Sequence, residues 1–183
     1  MRIPLILTAA ALATSLPVPA RAQTPQVAEA HPARPEDVSS MDAIVKALYD
    51  VISGPAGQAR DWDRFRSLFA PGARLLPTGK GQDGTARVRA LSPDEYATMA
   101  GANLEKNGFF EREIGRHTDR YGSVVQLFSA YDSKRKAEDA TPFARGINSI
   151  QLWFDGKRWY VATIFWEAET PDNQIPKKYL EKN

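Results

Sequence analysis

Three side chains able to move a proton stand close together in one stretch of the chain: Glu111, Glu113 and His117. All three have odd numbers, so in an extended strand they share a face, with successive same-face residues about 6.6 Å apart. Two carboxylates this close on a partly desolvated surface repel each other. One pKa then rises, leaving a general acid beside a general base. If the next turn closes around Gly122, Ser129 falls opposite Glu113 and Tyr131 opposite Glu111, which adds a hydroxyl and a phenol. The competing arrangement is structural. Both glutamates would pair with arginines (Arg87, Arg89 or Arg145) and hold the sheet together, since such ion pairs perturb pKa values as well. His117 lies near the turn and is expected in solvent. The chain has no cysteine and two histidines, His31 and His117. Thiol catalysis, disulfide scaffolds and Cys-ligated zinc are excluded, and no metal site is expected.

The elements that must position these groups follow from periodicity. Met41, Ile44, Val45, Leu48, Val51 and Ile52 mark one face of a helix over Ser39 to Ser53, stopped by Gly54-Pro55. Ser39 with Asp42 resembles a capping box. A shorter helix runs from Asp61 to Phe69, and strands are expected at Ala73 to Leu76 and, weakly, Thr85 to Leu91. Ser92-Pro93-Asp94-Glu95 opens a third helix with cap, N1 proline and capping-box acid. It runs to about Lys106 with Tyr96, Met99, Ala100 and Leu104 inward, and Asn107-Gly108 closes it. From Phe109 the period becomes two. Strands at Phe109–Thr118 and Ser123–Asp132 form one hairpin. Gly146–Phe154 and Lys157–Glu167 form another around Asp155-Gly156, read as a type I′ turn. Pairing Phe154 with Lys157 places Trp159, Val161, Thr163 and Phe165 on the face of Asn148, Ile150 and Leu152. Tyr160, Ile164 and Trp166 then join Trp153 on the other. Gly79-Lys80-Gly81-Gln82-Asp83-Gly84 satisfies G-x-G-x-x-G, but a strand-like stretch follows where a dinucleotide site needs a helix. It reads as a loop, and no cofactor is expected.

Residues 1–22 read as a cleaved export signal. Arg2 gives a positive start, Ile3 to Leu16 an apolar run too short to span a bilayer, and Ala20-Arg21-Ala22 a cleavage pattern. The whole chain has 24 Lys+Arg and 22 Asp+Glu. Removing Arg2 and Arg21 leaves 22 of each, so no electrostatic attraction to nucleic acid or to anionic lipid follows. Residues 23–38 hold three prolines and no aromatic, and read as a flexible linker. Residues 39–183 are left as one domain.

The order of elements, helices first and then long antiparallel strands, resembles the NTF2-like (SnoaL-like, ketosteroid-isomerase-like) superfamily. The segments that carry the likeness are Leu48-Tyr49, Asp61-Trp62-Asp63-Arg64-Phe65-Arg66-Ser67-Leu68-Phe69 leading into Ala73-Arg74, and Leu152-Trp153-Phe154-Asp155-Gly156-Lys157-Arg158-Trp159 with Val161. Phe110-Glu111-Arg112-Glu113-Ile114 and Arg145-Gly146-Ile147-Asn148-Ser149 look like those of an uncharacterised exported bacterial branch. The resemblance implies an α+β cone: three N-terminal helices packed on a curved antiparallel β-sheet, with a pocket between them and often a dimer. It implies no reaction. The isomerase's catalytic carboxylate would fall in Ala73-Arg74-Leu75-Leu76-Pro77 and its proton-donating acid near Ile150, and neither place holds an acid. The Asp-Arg-Asp set of epoxide hydrolases has no equivalent.

The expectation is therefore an exported, periplasmic or secreted domain that binds a small, partly apolar molecule. Tyr49, Trp62, Glu111, Glu113, Ser129, Tyr131, Asn148 and Trp159 would line its cavity. The alternatives are a cofactor-independent lyase, isomerase or hydrolase with Glu111 or Glu113 as acid/base and Tyr131 as hydrogen-bond donor, and a protein-interaction module acting through the sheet. Two largely apolar sheet faces point to a homodimer through the outer one. No nucleic-acid partner and no stable membrane anchor after signal cleavage are expected.

Overall fold

Amphipathic spacing in residues 41–52 and alternation after Phe109 dictate a helical layer on one face of a sheet, and a computed structural model describes this arrangement for residues 31–181. The export signal read over 1–22 lies outside the described residues. The last four residues of the Pro-rich stretch form α1 (Pro35–Val38). Its buried Asp37 accepts a two-pronged bond from Arg64, Nε to Oδ2 at 2.8 Å and Nη2 to Oδ1 at 2.7 Å. The guanidinium holds the Asp37 carboxyl below the usual range.

Helix α2 (Met41–Ile52) buries Ile44, Val45, Leu48, Tyr49, Val51 and Ile52. Its cap is Ser40, whose hydroxyl accepts from Ala43 N at 3.0 Å, one residue later than the Ser39 box read from sequence. Helix α3 (Trp62–Ser67) is capped by Asp61, which accepts from Arg64 N at 2.9 Å. Between the two, buried Arg60 ties helix ends together. Its guanidinium donates to Ile52 O at 2.9 Å, Gly54 O at 2.7 Å and Leu104 O at 3.1 Å, and burial lowers its pKa. Carbonyls left over at helix termini find a partner here inside the domain.

The expected layout of three N-terminal helices on a curved antiparallel sheet is not what forms. There are four α-helices among the described residues, and the last, α4 (Pro93–Asn107), comes after β1 (Phe69–Lys80) and β2 (Ala86–Val88). The other strands are β3 (Phe110–Tyr121), β4 (Val124–Lys134), β5 (Ala144–Phe154) and β6 (Trp159–Ala168). They make one open, mixed sheet of six strands in the order β2-β1-β6-β5-β4-β3. Strand β1 runs parallel to β6, with Leu75 opposite Ile164 and Pro77 opposite Trp166. Tight turns force hairpin neighbours to be antiparallel, but most of the domain separates β1 from β6, so no turn fixes their direction. Alternation within a strand cannot report it either.

The capping box of α4 forms as read: Glu95 N donates to Ser92 Oγ at 3.2 Å and Ser92 N to Glu95 Oε2 at 2.7 Å. Tyr96, Ala100 and Leu104 pack on the core, whereas Met99, expected inward, is 43% exposed. The G-x-G-x-x-G stretch sits at the tip of the β1–β2 hairpin, with Lys80 paired to Ala86. Among the described residues no helix is long and apolar enough to cross a membrane.

The second hairpin closes Phe154 on Trp159 through a four-residue loop, not on Lys157 through the expected type I′ turn, and β1 is irregular between Phe69 and Arg74. Two further bulges reset the faces of the sheet around the site. In β3, Ile114 is an extra residue between the Glu113–Tyr131 and Gly115–Ala130 pairs. In β6, Ala162 is extra between the Leu152–Val161 and Gln151–Thr163 pairs. Each bulge inverts the in-and-out order of everything beyond it.

Candidate functional site

Register decides which groups meet. The first hairpin turns tightly, pairing Tyr121 with Val124, and β3 carries the bulge at Ile114. Glu113 therefore lies opposite Tyr131 and Glu111 opposite Ser133, two residues from the pairing expected. Beyond the bulge, Arg116 takes the helix-facing side that His117 was expected to share with the glutamates. His117 moves to the outer face, where its ring lies 6.4 Å from that of Tyr179. Tyr179 in turn stacks on Phe128 at 5.1 Å, so the C-terminal segment docks across β3 and β4.

Arg116 grips Glu113 with two parallel bonds, Nε to Oε1 and Nη2 to Oε2, both 2.8 Å. The two side chains are only 12% and 9% exposed. Arg116 also reaches Asp42 on α2 through Nη1 at 2.7 Å. The structural alternative thus holds for Glu113, with Arg116 as partner in place of Arg87, Arg89 or Arg145. Behind Glu113 runs a buried chain of hydroxyls. Ser129 Oγ donates to Glu113 Oε1 at 2.6 Å, Tyr49 Oη and Ser129 Oγ are 2.7 Å apart, and Asn148 Nδ2 donates to Tyr49 Oη at 3.1 Å.

Glu111 differs. Its partners are neutral: Ser133 Oγ donates to Oε2 at 2.8 Å and Asn148 Nδ2 to Oε1 at 3.5 Å. Asp132, paired bidentately with Arg112 at 2.9 Å, adds a nearby negative charge. Burial pushes the Glu111 carboxyl up to about 7, the two donors pull it down, and Asp132 adds a further upward push. The carboxyl borders a cavity of about 120 Å³ lined from α2, α3, α4 and the sheet. The other walls are apolar or aromatic, among them Leu48, Phe65, Phe109, Ile150, Tyr96 and Trp166. The phenols of Tyr131 and Tyr96 are both pushed upward, by burial first and by the Glu111 charge second. Glu111 and Tyr49 also border an open groove between α2 and β3, lined by Lys46, Arg112, Glu113 and Arg116.

Of the eight residues expected to line the cavity, four do so: Tyr49, Glu111, Tyr131 and Asn148. Glu113 and Ser129 lie behind its wall and hold Tyr49 in place. Trp62 is withdrawn, edge-on to Phe65 at 5.3 Å and Tyr96 at 6.4 Å. Trp159 sits at the far end of β6, against Phe154 at 5.1 Å with Arg120 over its ring at 5.3 Å. Two principal wall residues were not among the eight. Tyr96 was read as inward-facing, and nothing in its helical spacing marks it as more than core. Unbroken alternation puts Trp166 on the outer face, and the bulge at Ala162 brings it in beside Asn148. Close approach also explains Gly146. A Cβ there would strike Glu167 O and, at 2.5 Å, the Tyr131 hydroxyl, so glycine lets that phenol lie across β5.

No protein-family profile matches the chain, and no curated protein does. Solved structures do. The Kfla4162 protein of Kribbella flavida aligns at TM-score 0.52 and 8% identity, over 72% of this chain and 90% of its own. An NTF-2-like protein of unknown function from Silicibacter pomeroyi DSS-3 aligns at TM-score 0.49 and 12% identity, over 72% and 94%. An NTF2-like protein of unknown function from Shewanella baltica OS155 gives 0.41 and 13%, over 72% and 98%. These alignments are all at low identity and span part of the chain. Identities this low concern the fold and not the activity.

Proposed function

We propose that this chain is an exported, periplasmic or secreted NTF2-like domain that binds a small, largely apolar molecule in the cavity beside Glu111. The observation that carries this reading is the composition of the wall: aliphatic and aromatic side chains with a few convergent polar groups, the usual make-up of a small-molecule site. The volume restricts the ligand. An apolar cavity of about 150 Å³ accepts benzene, so about 120 Å³ suits a single ring no larger than benzene or a short branched chain. Export is supported by the charged start, apolar run and A-x-A pattern of residues 1–22. A homodimer through the outer sheet face is supported by Trp153 and Phe165, which stand there 41% and 45% exposed.

Native mass spectrometry of protein taken from its own source tests the binding reading. A co-purifying adduct of single-ring size is expected, and it is absent from an Ile150→Trp variant whose indole fills the space. A folded wild-type protein that never carries or takes up such a molecule overturns it. Sedimentation at micromolar concentration tests the dimer, and a Trp153→Ser variant should shift it to monomer.

A second reading, a lyase, isomerase or hydrolase without cofactor, is favoured by one observation. Glu111 has a pKa of about 7 and two phenols nearby, which suits a group that both gives and takes protons near neutrality. Tyr131 would then donate a hydrogen bond to the reacting oxygen. The grip of Arg116 argues against Glu113 in that role. Glu111→Gln separates the readings: binding is largely kept in both, and turnover is lost only in the second.

A further inference from the structure

We infer that the cavity selects for a ligand that donates a hydrogen bond, that Asn148 Oδ1 is the acceptor that reads it, and that Glu113, Ser129 and Tyr49 are the positioning residues that impose this polarity. The inference rests on the cavity being the binding site, and it adds the chemical class of the ligand: a single-ring-sized alcohol, phenol or amine.

The argument is one of counting protons. A carboxylate forked by a guanidinium can only accept, so Glu113 must receive the single hydroxyl proton of Ser129. Ser129 Oγ, its proton committed, can only accept from Tyr49. Tyr49, its proton committed in turn, can only accept from residue 148, which must present an N–H to it. Asn148 is thereby denied the amide flip open to most asparagines. The second Nδ2 proton is turned toward Glu111 Oε1.

That leaves Asn148 Oδ1. It accepts no hydrogen bond from the described residues. Since no fully buried side-chain oxygen or nitrogen among them is without a partner, Oδ1 reaches open space, and the open space beside Asn148 is the cavity. Arg116 is 12% exposed and sits outside that space. A charged pair beyond the wall thus sets which way an amide points inside it. A ligand with a lone-pair acceptor alone leaves Oδ1 desolvated and unpaired, which costs binding. A hydroxyl or amino group satisfies it.

Cyclobutanol and cyclobutanone test this, being no larger than benzene, close to each other in size and differing in the donor. Titration calorimetry with the folded chain at pH 5.5, below the Glu111 value of about 7 so that this carboxyl is neutral and neither holds Asn148 Nδ2 nor competes as an acceptor, should show the alcohol bound about tenfold more tightly. In Glu113→Gln, which can donate to Ser129 and let the chain of hydroxyls reverse, the ratio should fall to near one. Ser129→Ala, which frees the Tyr49 proton, should do the same without touching the cavity wall. A merely structural role would weaken both probes and leave their ratio unchanged. Equal binding of the two by the wild type, or a ratio unaltered in whichever variants fold, overturns the inference and leaves the cavity reading standing. Binding of neither probe, or binding that persists in Ile150→Trp, overturns the cavity reading and this inference with it. Should neither variant fold, the wild-type ratio decides together with a nuclear Overhauser contact between the Asn148 amide protons and the Tyr49 ring. Absence of that contact counts against it.

Discussion

Glu111 and Glu113 lie two residues apart on one face of one strand, and their surroundings give them opposite uses. Glu113 meets a guanidinium because the bulge at Ile114 turns Arg116 inward. Glu111, one pair further along, meets two neutral donors and an apolar cavity. The first is a charge fully matched and committed to holding Tyr49 in place. The second is a carboxyl kept near its titration point at neutral pH. Residue type and spacing are equal in the two cases. What separates them is one extra residue in the strand and where it puts a cation.

The largest effect should come from breaking the matched pair. Arg116→Met leaves a carboxylate that is 9% exposed without its cation. Loss of one partner of a buried pair costs about 3–5 kcal/mol, measurable as a shift in urea midpoint. Adding Glu113→Leu removes the stranded charge and should recover most of that loss. If Arg116→Met alone is tolerated, the two glutamates do not differ as described.

Glu111→Gln comes next, with the opposite sign. At low pH, below about the ordinary carboxyl value of 4.5, the wild-type group is protonated in both folded and unfolded chains and exerts no penalty. As pH rises toward 7 the unfolded chain ionises first, so stability falls. The loss is complete above the folded value of about 7. At pH 8 the neutral glutamine should therefore be the more stable, by at most about 3 kcal/mol. At pH 4 the two proteins should melt alike. Thermal melts at both pH values check this, and equal melting at pH 8 would place Glu111 in water.

The wall of the unmatched site gives a third test. Gly146→Ala drives a methyl group into Glu167 O and the Tyr131 hydroxyl. A cost of about 2 kcal/mol is expected, in the range of overpacked cores, and the displaced phenol should reduce cyclobutanol binding. The same change at Gly79, where a Cβ meets nothing within 4 Å, should leave binding untouched.

Local order was legible in the sequence wherever the physics is local. The Ser92–Glu95 box, the Asp61 cap and the α2 face follow from residues within a turn of one another, and both hairpins form, although the second closes Phe154 on Trp159 through a four-residue loop and not on Lys157. Glu111, Tyr131 and Asn148 were reachable because same-face alternation survives up to the bulges, and Tyr49 because it lies on the buried face of α2. The direction of β1 was not, since nothing near it fixes how it pairs with β6. Nor were the bulges: neither Ile114 nor Ala162 is a glycine or otherwise unusual, and their position is set by how two strands fit the helices above them. Everything downstream in face assignment, from the Arg116 pairing to the entry of Trp166 into the cavity, hangs on those two residues.

The smallest effect tests whether the unmatched end of the site depends on a helix that the matched end does not touch. Helix α4 presents Tyr96 to the cavity, where its ring stacks on Phe65 at 5.4 Å and meets Trp166 edge-on at 6.1 Å. The Ser92 hydroxyl secures the first turn of that helix, just before Tyr96. Ser92→Ala should cost about 1 kcal/mol, a fall of roughly 2–4 °C in melting temperature for a domain of this size. A looser α4 admits water beside Glu111, so the carboxyl should titrate lower than in the wild type, because burial is the chief cause of its upward displacement. The Glu113–Arg116 pair is braced by α2 and β4 and should not respond. The Glu111 carboxyl carbon shift followed by NMR across pH 4 to 9 checks this. A Glu111 titration unmoved by the cap would show that the cavity is closed by the sheet and α2 alone.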